Sequence, residues 1–175
     1  VLCILDGFGE RAESEANAAQ QAETPALDAL RSSCPNTLLE ASGPAVGLPE
    51  GQMGSSEVGH LTLGAGRVIL SEITRIDQAI KSNKIARNEF IDQTFRIAAY
   101  RKCPIHLLGL LSDGGIHSSF DHLVKLIDLA EFHEVEVIVH AFTDGRDSPP
   151  RSAMGYLDKL ELYLEGKGKI GTICG

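Results

Sequence analysis

"PIHLLGLLSDGGIHSSFDHLVKLIDLAEFHEVEVIVHAFTDGRD" runs from Pro104 to Asp147, and its rhythm decides the fold. "PIHLLGLLS" is an apolar run of strand length that ends in the turn formers Ser112-Asp113-Gly114-Gly115. In "SFDHLVKLIDLAEFHE" the period changes: Leu123, Leu126, Ile127 and Ala130 recur at helical spacing and share one inward face. "VEVIVHAFT" is again a buried strand, ending at Asp144-Gly145-Arg146-Asp147. Strand, helix and strand at this spacing make a parallel pair joined by a crossover helix.

The same alternation continues outward. Upstream, "NEFIDQTFRIAAYRK" reads as a helix capped by Asn88, with Phe90, Ile91, Phe95 and Ala98 or Ala99 on one face. Downstream, "SPPRSAMGYLDKLELYLEGKG" reads as a helix capped by Ser148 and closed at Gly166, followed by the strand "KIGTIC". The fold class is therefore α/β, with mainly parallel sheets and flanking helices. Nearer the N-terminus, "VLCIL" reads as a buried strand ending at Asp6-Gly7. Residues 10–23 are polar and alanine-rich, a loop or a frayed helix. "TPALDALRSSCP" is a helix with Thr24 as its cap, Pro25 in its first turn, and Leu27 and Leu30 on one face. "NTLLEAS" reads as a short strand, Gly43 to Gly66 as a glycine-rich stretch, and "RVILSEITRI" as an extended apolar segment leading into a polar crossover. Composition shifts near Leu70 to Lys84, which divides the chain into 1–70 and 71–175.

Composition narrows the function. At 175 residues the chain makes one large domain or two smaller ones, and a net charge of −8 with scattered Lys and Arg argues against a nucleic-acid stripe. An acidic protein that binds an anion must place its cations locally. Cys3, Cys34, Cys103 and Cys174 are far apart with no CxxC pair, which fits a thiol-reducing cytoplasm better than a disulfide framework. No apolar run approaches the roughly 18 residues that span a bilayer. "VLCILDGFG" is too short for a signal peptide and soon reaches an acid. Val1 already lies inside an apolar run and "KIGTICG" stops where a functional loop would begin, so the sequence reads as part of a longer chain.

In open parallel sheets ligands bind beyond the carboxyl ends of the strands. Asp6, the Ser112–His117 stretch and the Asp144–Asp147 stretch all fall there. Asp6 is either a turn acceptor or a ligand for a hard metal, since carboxylates suit manganese, magnesium and zinc. His117, in a glycine loop, can hydrogen-bond or ion-pair with a phosphate, whereas Asp121 belongs to a first helical turn and favours the helix dipole. Arg146 suits two-pronged recognition of a carboxylate or phosphate. Its neighbour Asp147 is either its salt-bridge partner or a proton acceptor for a substrate hydroxyl. "GQMGSSEVGH", Gly51 to His60, is neither the GxSxG nucleophile elbow nor the GxxxxGK[ST] phosphate loop. Taken alone it reads as a flexible Gly/Ser loop.

Four stretches, "LDGFG", "ASGPAVGLPEGQMGSSEVGHLTLGAGRVI", "LLGLLSDGGIHSSFDHL" and "HAFTDGRDSPPRSAMGYL", in this order, together resemble the cofactor-independent phosphoglycerate mutases of the alkaline phosphatase superfamily. The likeness spans essentially the whole chain. It implies interconversion of 3-phosphoglycerate and 2-phosphoglycerate in glycolysis, with two divalent metals, most often Mn2+, and no requirement for 2,3-bisphosphoglycerate. It implies the N-terminal part of a phosphatase-like metal domain in 1–70 and the N-terminal part of an inserted, transferase-like substrate domain in 71–175. By the resemblance Ser56 is the nucleophile and carries a phosphoserine intermediate, and Asp6 and Ser56 bind metal. His117, Arg146 and Asp147 hold the substrate, and Asp147 is also the acid/base. Family members usually carry asparagine where this chain has Ser55, and often histidine where it has Ser119. The family's remaining metal ligands, its phosphate-binding lysine and further arginines come after this sequence. The 175-residue chain alone is therefore expected to be inactive, and the full-length protein to be a cytoplasmic monomer. The alternatives are another metal-dependent phosphatase or phosphotransferase of the superfamily, or a non-catalytic binding fragment.

Overall fold

The computed structural model describes all 175 residues, which divide into two units, Val1–Ile69 and Leu70–Gly175. In the second unit, strands β1 (Ile105–Leu111), β2 (Val137–Thr143) and β3 (Gly168–Cys174) form a parallel sheet in the order β1-β2-β3. Ile105 pairs with Val137 and Leu111 with Thr143. The β2–β3 register starts at Val137 opposite Gly168 and slips once, between Val139 and His140. Crossover helices α6 (Phe120–Phe132) and α7 (Ala153–Leu164) join the strands, and α5 (Glu89–Arg101) precedes β1.

Helical spacing explains the core. Ile127 and Ala130 of α6 and Leu157, Leu160 and Leu164 of α7 lie three or four residues apart and are buried, in one cluster with Phe95 and Leu111. The central strand supplies Val137, Val139 and Ala141 to the same cluster, each at alternate positions. Burial of a single large side chain such as Ile127, fully inaccessible here, stabilises by about 1.5–3 kcal/mol. The alternate positions His106, Leu108 and Phe142 are exposed, and His106 Nδ1 lies 2.8 Å from His140 Nε2. The sheet is thus helix-covered on one face, rather than buried on both as the apolar runs suggested.

Asn88 caps α5 as expected, its Oδ1 accepting from the N–H groups of Phe90 and Ile91 at 3.1 and 3.2 Å. Phe90 does not join the core: it is 80% exposed. It precedes Phe95 by five residues, which at 3.6 residues per turn carries it well round the helix from the inward face. "RVILSEITRI" also departs from its expected extended form. Ser71 caps helix α4 (Glu72–Lys81), accepting from the Thr74 N–H at 3.3 Å, and the Ile73, Ile76, Ile80 spacing is helical. His122 Nε2 meets Asp77 Oδ1 at 2.6 Å and ties α6 to α4.

The first unit contains no strand. It holds a short helix α1 (Ala18–Gln21), α2 (Pro25–Ser33), a 3₁₀ turn Gly43–Val46 and α3 (Ser56–Ala65). "VLCIL" and "NTLLEAS" are non-strand and exposed, because a strand exists only where a neighbour completes its hydrogen-bond ladder and this unit offers none. Thr24 precedes α2 without a side-chain capping bond, its hydroxyl instead reaching Asp28 Oδ1 at 3.1 Å, and Leu30 of the expected face is exposed. Val46 and Leu48 are the buried apolar side chains of this unit.

Candidate functional site

Ser56 is the first residue of α3, with Ser55 at the N-cap, so the loop expected over "GQMGSSEVGH" is a helix start. Two internal glycines, Gly59 and Gly64, cost such a helix about 1 kcal/mol each and hid it from propensity. Gly66, at φ +65°, closes it in the left-handed conformation. The chain enters α3 through Gly54, where a Cβ would lie 1.8 Å from the Ala41 carbonyl oxygen, so only glycine permits the approach.

This entry aims Ser56 at Asp6. The Ser56 hydroxyl donates to Asp6 Oδ2 at 2.7 Å, across fifty residues of sequence. His60, one turn on, is a member of the cluster that the sequence did not single out. Its Nδ1 lies 2.7 Å from the Ser56 carbonyl oxygen, which can only accept, so hydrogen-bond geometry assigns the proton to Nδ1. That N–H then also faces Ser56 Oγ, at 3.2 Å, as a donor. The i, i+4 spacing from Ser56 to His60 was the available signal. The group opens on a cavity of about 570 Å3 whose walls include Leu5, Phe8, Met53 and Leu63.

Two hard oxygen donors this close suit Mn2+ or Mg2+. No three His, Cys, Asp or Glu side chains converge anywhere, so Asp6 and Ser56 fit such an ion as part of a donor set rather than as a whole one.

In the second unit the loops after β1 and β2 carry the other expected residues. His117 Nε2 lies 3.9 Å from Asp147 Oδ2; the histidine is 60% exposed and the carboxylate side chain 11%. Asp147 pairs with His117 and makes no ion pair with Arg146, whose side chain faces solvent. His117 also borders a cavity of about 270 Å3 beside β1, lined further by Ser118, Ser119 and His122, which does not reach Arg146 or Asp147.

Beneath these loops lie Ser112 and Asp144, which had no role of their own in the sequence, and Ser148, expected as a helix cap; they are the buried polar side chains of the protein. Ser112 Oγ donates to Asp144 Oδ2 at 2.7 Å. Asp144 Oδ1 accepts from the N–H groups of Arg146 and Asp147 at 2.9 and 3.0 Å. The Ser112 hydroxyl, then these backbone donors, hold the Asp144 carboxyl below its ordinary range, because they bind its charged form. Ser148 Oγ donates to the Asp144 carbonyl at 2.7 Å. It therefore fastens the loop and does not cap α7, which begins five residues later. Tyr156 of α7 donates its hydroxyl to Asp113, and that carboxylate raises the phenol's pKa above its usual value.

Comparison with known proteins shows the family of the chain. Residues 76–175, more than half of the chain, match the family described as BPG-independent PGAM N-terminus. The chain is 46% identical to 2,3-bisphosphoglycerate-independent phosphoglycerate mutase of Thermosynechococcus vestitus, over 100% of this chain and 33% of the relative. It is 49% identical to the enzyme of the same name from Moorella thermoacetica, over 100% of this chain and 35% of the relative. A solved structure of Leishmania mexicana phosphoglycerate mutase, at low cobalt concentration, superposes with a TM-score of 0.70 and 39% identity, covering 88% of this chain and 30% of that one. The chain spans about a third of the length of the curated relatives it matches. It belongs to the cofactor-independent phosphoglycerate mutase family, whose N-terminal portion it matches.

Proposed function

We propose that this chain is the N-terminal part of an enzyme that interconverts 3-phosphoglycerate and 2-phosphoglycerate through a phosphoserine on Ser56, without 2,3-bisphosphoglycerate. The observation that carries the reading is the Ser56–Asp6 contact of 2.7 Å, formed in a family whose members carry the name 2,3-bisphosphoglycerate-independent phosphoglycerate mutase. Asp6 and Ser56 would hold part of a divalent-metal site, whose oxygen donors suit Mn2+, the ion the family resemblance implies, as they also suit Mg2+. When bound, such ions lower the pKa of the serine hydroxyl and offset phosphoryl charge.

The residues of the chain take the following roles. Ser56 Oγ, having lost its proton before attack and acting as the alkoxide, attacks phosphorus, and the bond from phosphorus to the glycerate oxygen breaks. Asp147 gives that oxygen a proton and later takes one from glycerate's other hydroxyl. The freed oxygen attacks the phosphoserine, and Ser56 Oγ departs as it began. His60, as an N–H donor to Oγ, favours the oxygen that carries negative charge. A phosphoryl group on Ser56 sits at the N-terminal turn of α3, where free peptide N–H groups and the helix dipole favour an anion. Arg146, with its side chain free of carboxylates, and His117 are placed to bind the anionic glycerate. Four free cysteines fit a thiol-reducing cytoplasm; no helix is long and apolar enough to cross a membrane.

The test uses the full-length polypeptide with 3-phosphoglycerate and Mn2+, without 2,3-bisphosphoglycerate. Product should be 2-phosphoglycerate, and Ser56→Ala should lower turnover to background. Steady release of inorganic phosphate with no 2-phosphoglycerate would instead mark a phosphatase of the same superfamily. Full turnover in Ser56→Ala would remove Ser56 from the reaction.

A further inference from the structure

We infer that Asp144 is the positioning residue for the Arg146-Asp147 pair: its buried carboxylate holds both backbone N–H groups and is itself anchored by Ser112. The inference rests on the proposed function, since it assigns a task within that reaction.

Burying an ionised carboxylate is costly unless its lone pairs are filled. Asp144 is 8% exposed, and here they are filled in two directions. Oδ2 takes the Ser112 hydroxyl, which comes from the end of β1 and is 1% exposed. Oδ1 takes the N–H groups of Arg146 and Asp147, on the loop that follows β2. The side chain therefore joins the two strand-end loops that bear His117 on one side and Arg146 and Asp147 on the other. Two further contacts fix the same junction. The Ser112 oxygen accepts from the Gly114 N–H at 3.3 Å, so the β1 loop folds onto the same hydroxyl. A Cβ on Gly114 would lie 2.7 Å from the Asp147 carbonyl oxygen and 2.8 Å from its Cβ, so Asp147 rests directly on the Gly114 peptide. Ser148 Oγ, donating to the Asp144 carbonyl, closes the far side. These bonds gather the buried polar side chains of the protein at this junction. A loop that only connected β2 to α7 would not need a buried charge. A loop that must present a base and a cation at a fixed place does.

Both oxygens of Asp144 are held by the protein's own donors, so the task inferred for it is placement and not proton transfer. Misplacement of a reacting group by about 1 Å costs on the order of 10²-fold in rate.

The experiment measures kcat, KM and melting midpoint of the full-length, metal-loaded protein well below its melting transition. Asp144→Ala should lose roughly 10²-fold in kcat per folded molecule. Asp144→Asn should recover to within about tenfold of the unaltered protein, because its Oδ1 still accepts both N–H groups and its Nδ2 can donate to Ser112. If Asp144→Ala does not fold, Asp144→Glu decides. It keeps the charge but moves the carboxylate by one methylene, and should lose about tenfold or more in kcat. Unaltered kcat in folded Asp144→Ala, or in Asp144→Glu, overturns the inference, as does a lowered melting midpoint with kcat unaltered. Failure of the unaltered full-length protein to interconvert the phosphoglycerates would instead overturn the proposed function.

Discussion

The two units solve the problem of holding a reactive group by opposite means. In Val1–Ile69 the Ser56–Asp6–His60 cluster is fastened by hydrogen bonds, while Val46 and Leu48 are its buried apolar side chains. In Leu70–Gly175 the His117–Asp147 pair stands on strand ends backed by a cluster that includes Ile127, Val137, Val139 and Leu160. Helix-covered parallel strands can fix a loop from below, because each strand end is held by its ladder and by the core behind it. A helix start fixed by a glycine approach and a single carboxylate has no such backing. Placement by core and placement by polar contacts should therefore respond differently to the same perturbation.

The largest difference is expected in hydrogen exchange. Amides of β2, buried on the helix-covered face, should exchange only on global opening of the second unit, and those of residues 1–42 in minutes or less. Equal protection in the two regions would break the comparison. Next in size, Leu160→Ala removes a fully buried side chain and should destabilise the second unit by about 2–5 kcal/mol, read from urea unfolding. The exchange of α3 amides should be the same before and after that change; if α3 loosens equally, the two units share one stability and the contrast fails.

How much of this could be read in advance follows the same division. The βαβ rhythm from Ile105 to Cys174 was legible because α6, β2 and α7 each satisfy their own period and bury the face that the period defines. "VLCIL" has the same apolar run but no ladder partner in this chain, and periodicity cannot supply one. α3 was hidden by its glycines, and α4 by an isoleucine run that fits strand composition while its spacing is helical. Asp6, His117 and Arg146-Asp147 were legible as candidates at strand ends, and Ser56 through the family resemblance alone. Ser112, Asp144 and His60 were not, because their roles depend on which backbone groups the folded loops bring within 3.3 Å. A turn aspartate at a strand end and a buried one filling three donors look alike in one dimension.

A smaller effect sharpens the contrast within the second unit. Gly114→Ala places a methyl against the Asp147 backbone at 2.7 Å, and one of the two must move. Overpacking of this kind costs about 1–3 kcal/mol, a modest fraction of a core deletion. Activity of the full-length protein should fall much further, by roughly 10²-fold, because the residue displaced is the proposed base. A variant with normal kcat and a lowered melting midpoint would show that the contact supports packing alone.

The smallest expected effect is on acid stability, and its sign follows from Asp144. Its folded pKa lies below the ordinary value of 3.8, owing first to the Ser112 hydroxyl and then to the Asp147 and Arg146 N–H groups. A depressed folded pKa means that the unfolded chain takes up protons first as the pH falls. The resulting stabilisation is complete above the ordinary value and is lost as the pH drops through the lowered one. Ser112→Ala removes the largest of these contributions and brings the two values closer together. The urea midpoint of the second unit should therefore fall less steeply with acid in Ser112→Ala than in the unaltered chain, while its midpoint near neutral pH is already lower. The same titration followed through α3 should show no difference between the two proteins, since Asp6 and Ser56 belong to the unit held by its own polar contacts. An acid dependence unaltered by Ser112→Ala would show that the backbone N–H groups alone set the ionisation of Asp144, and that the tie between the β1 and β2 loops does not depend on the serine.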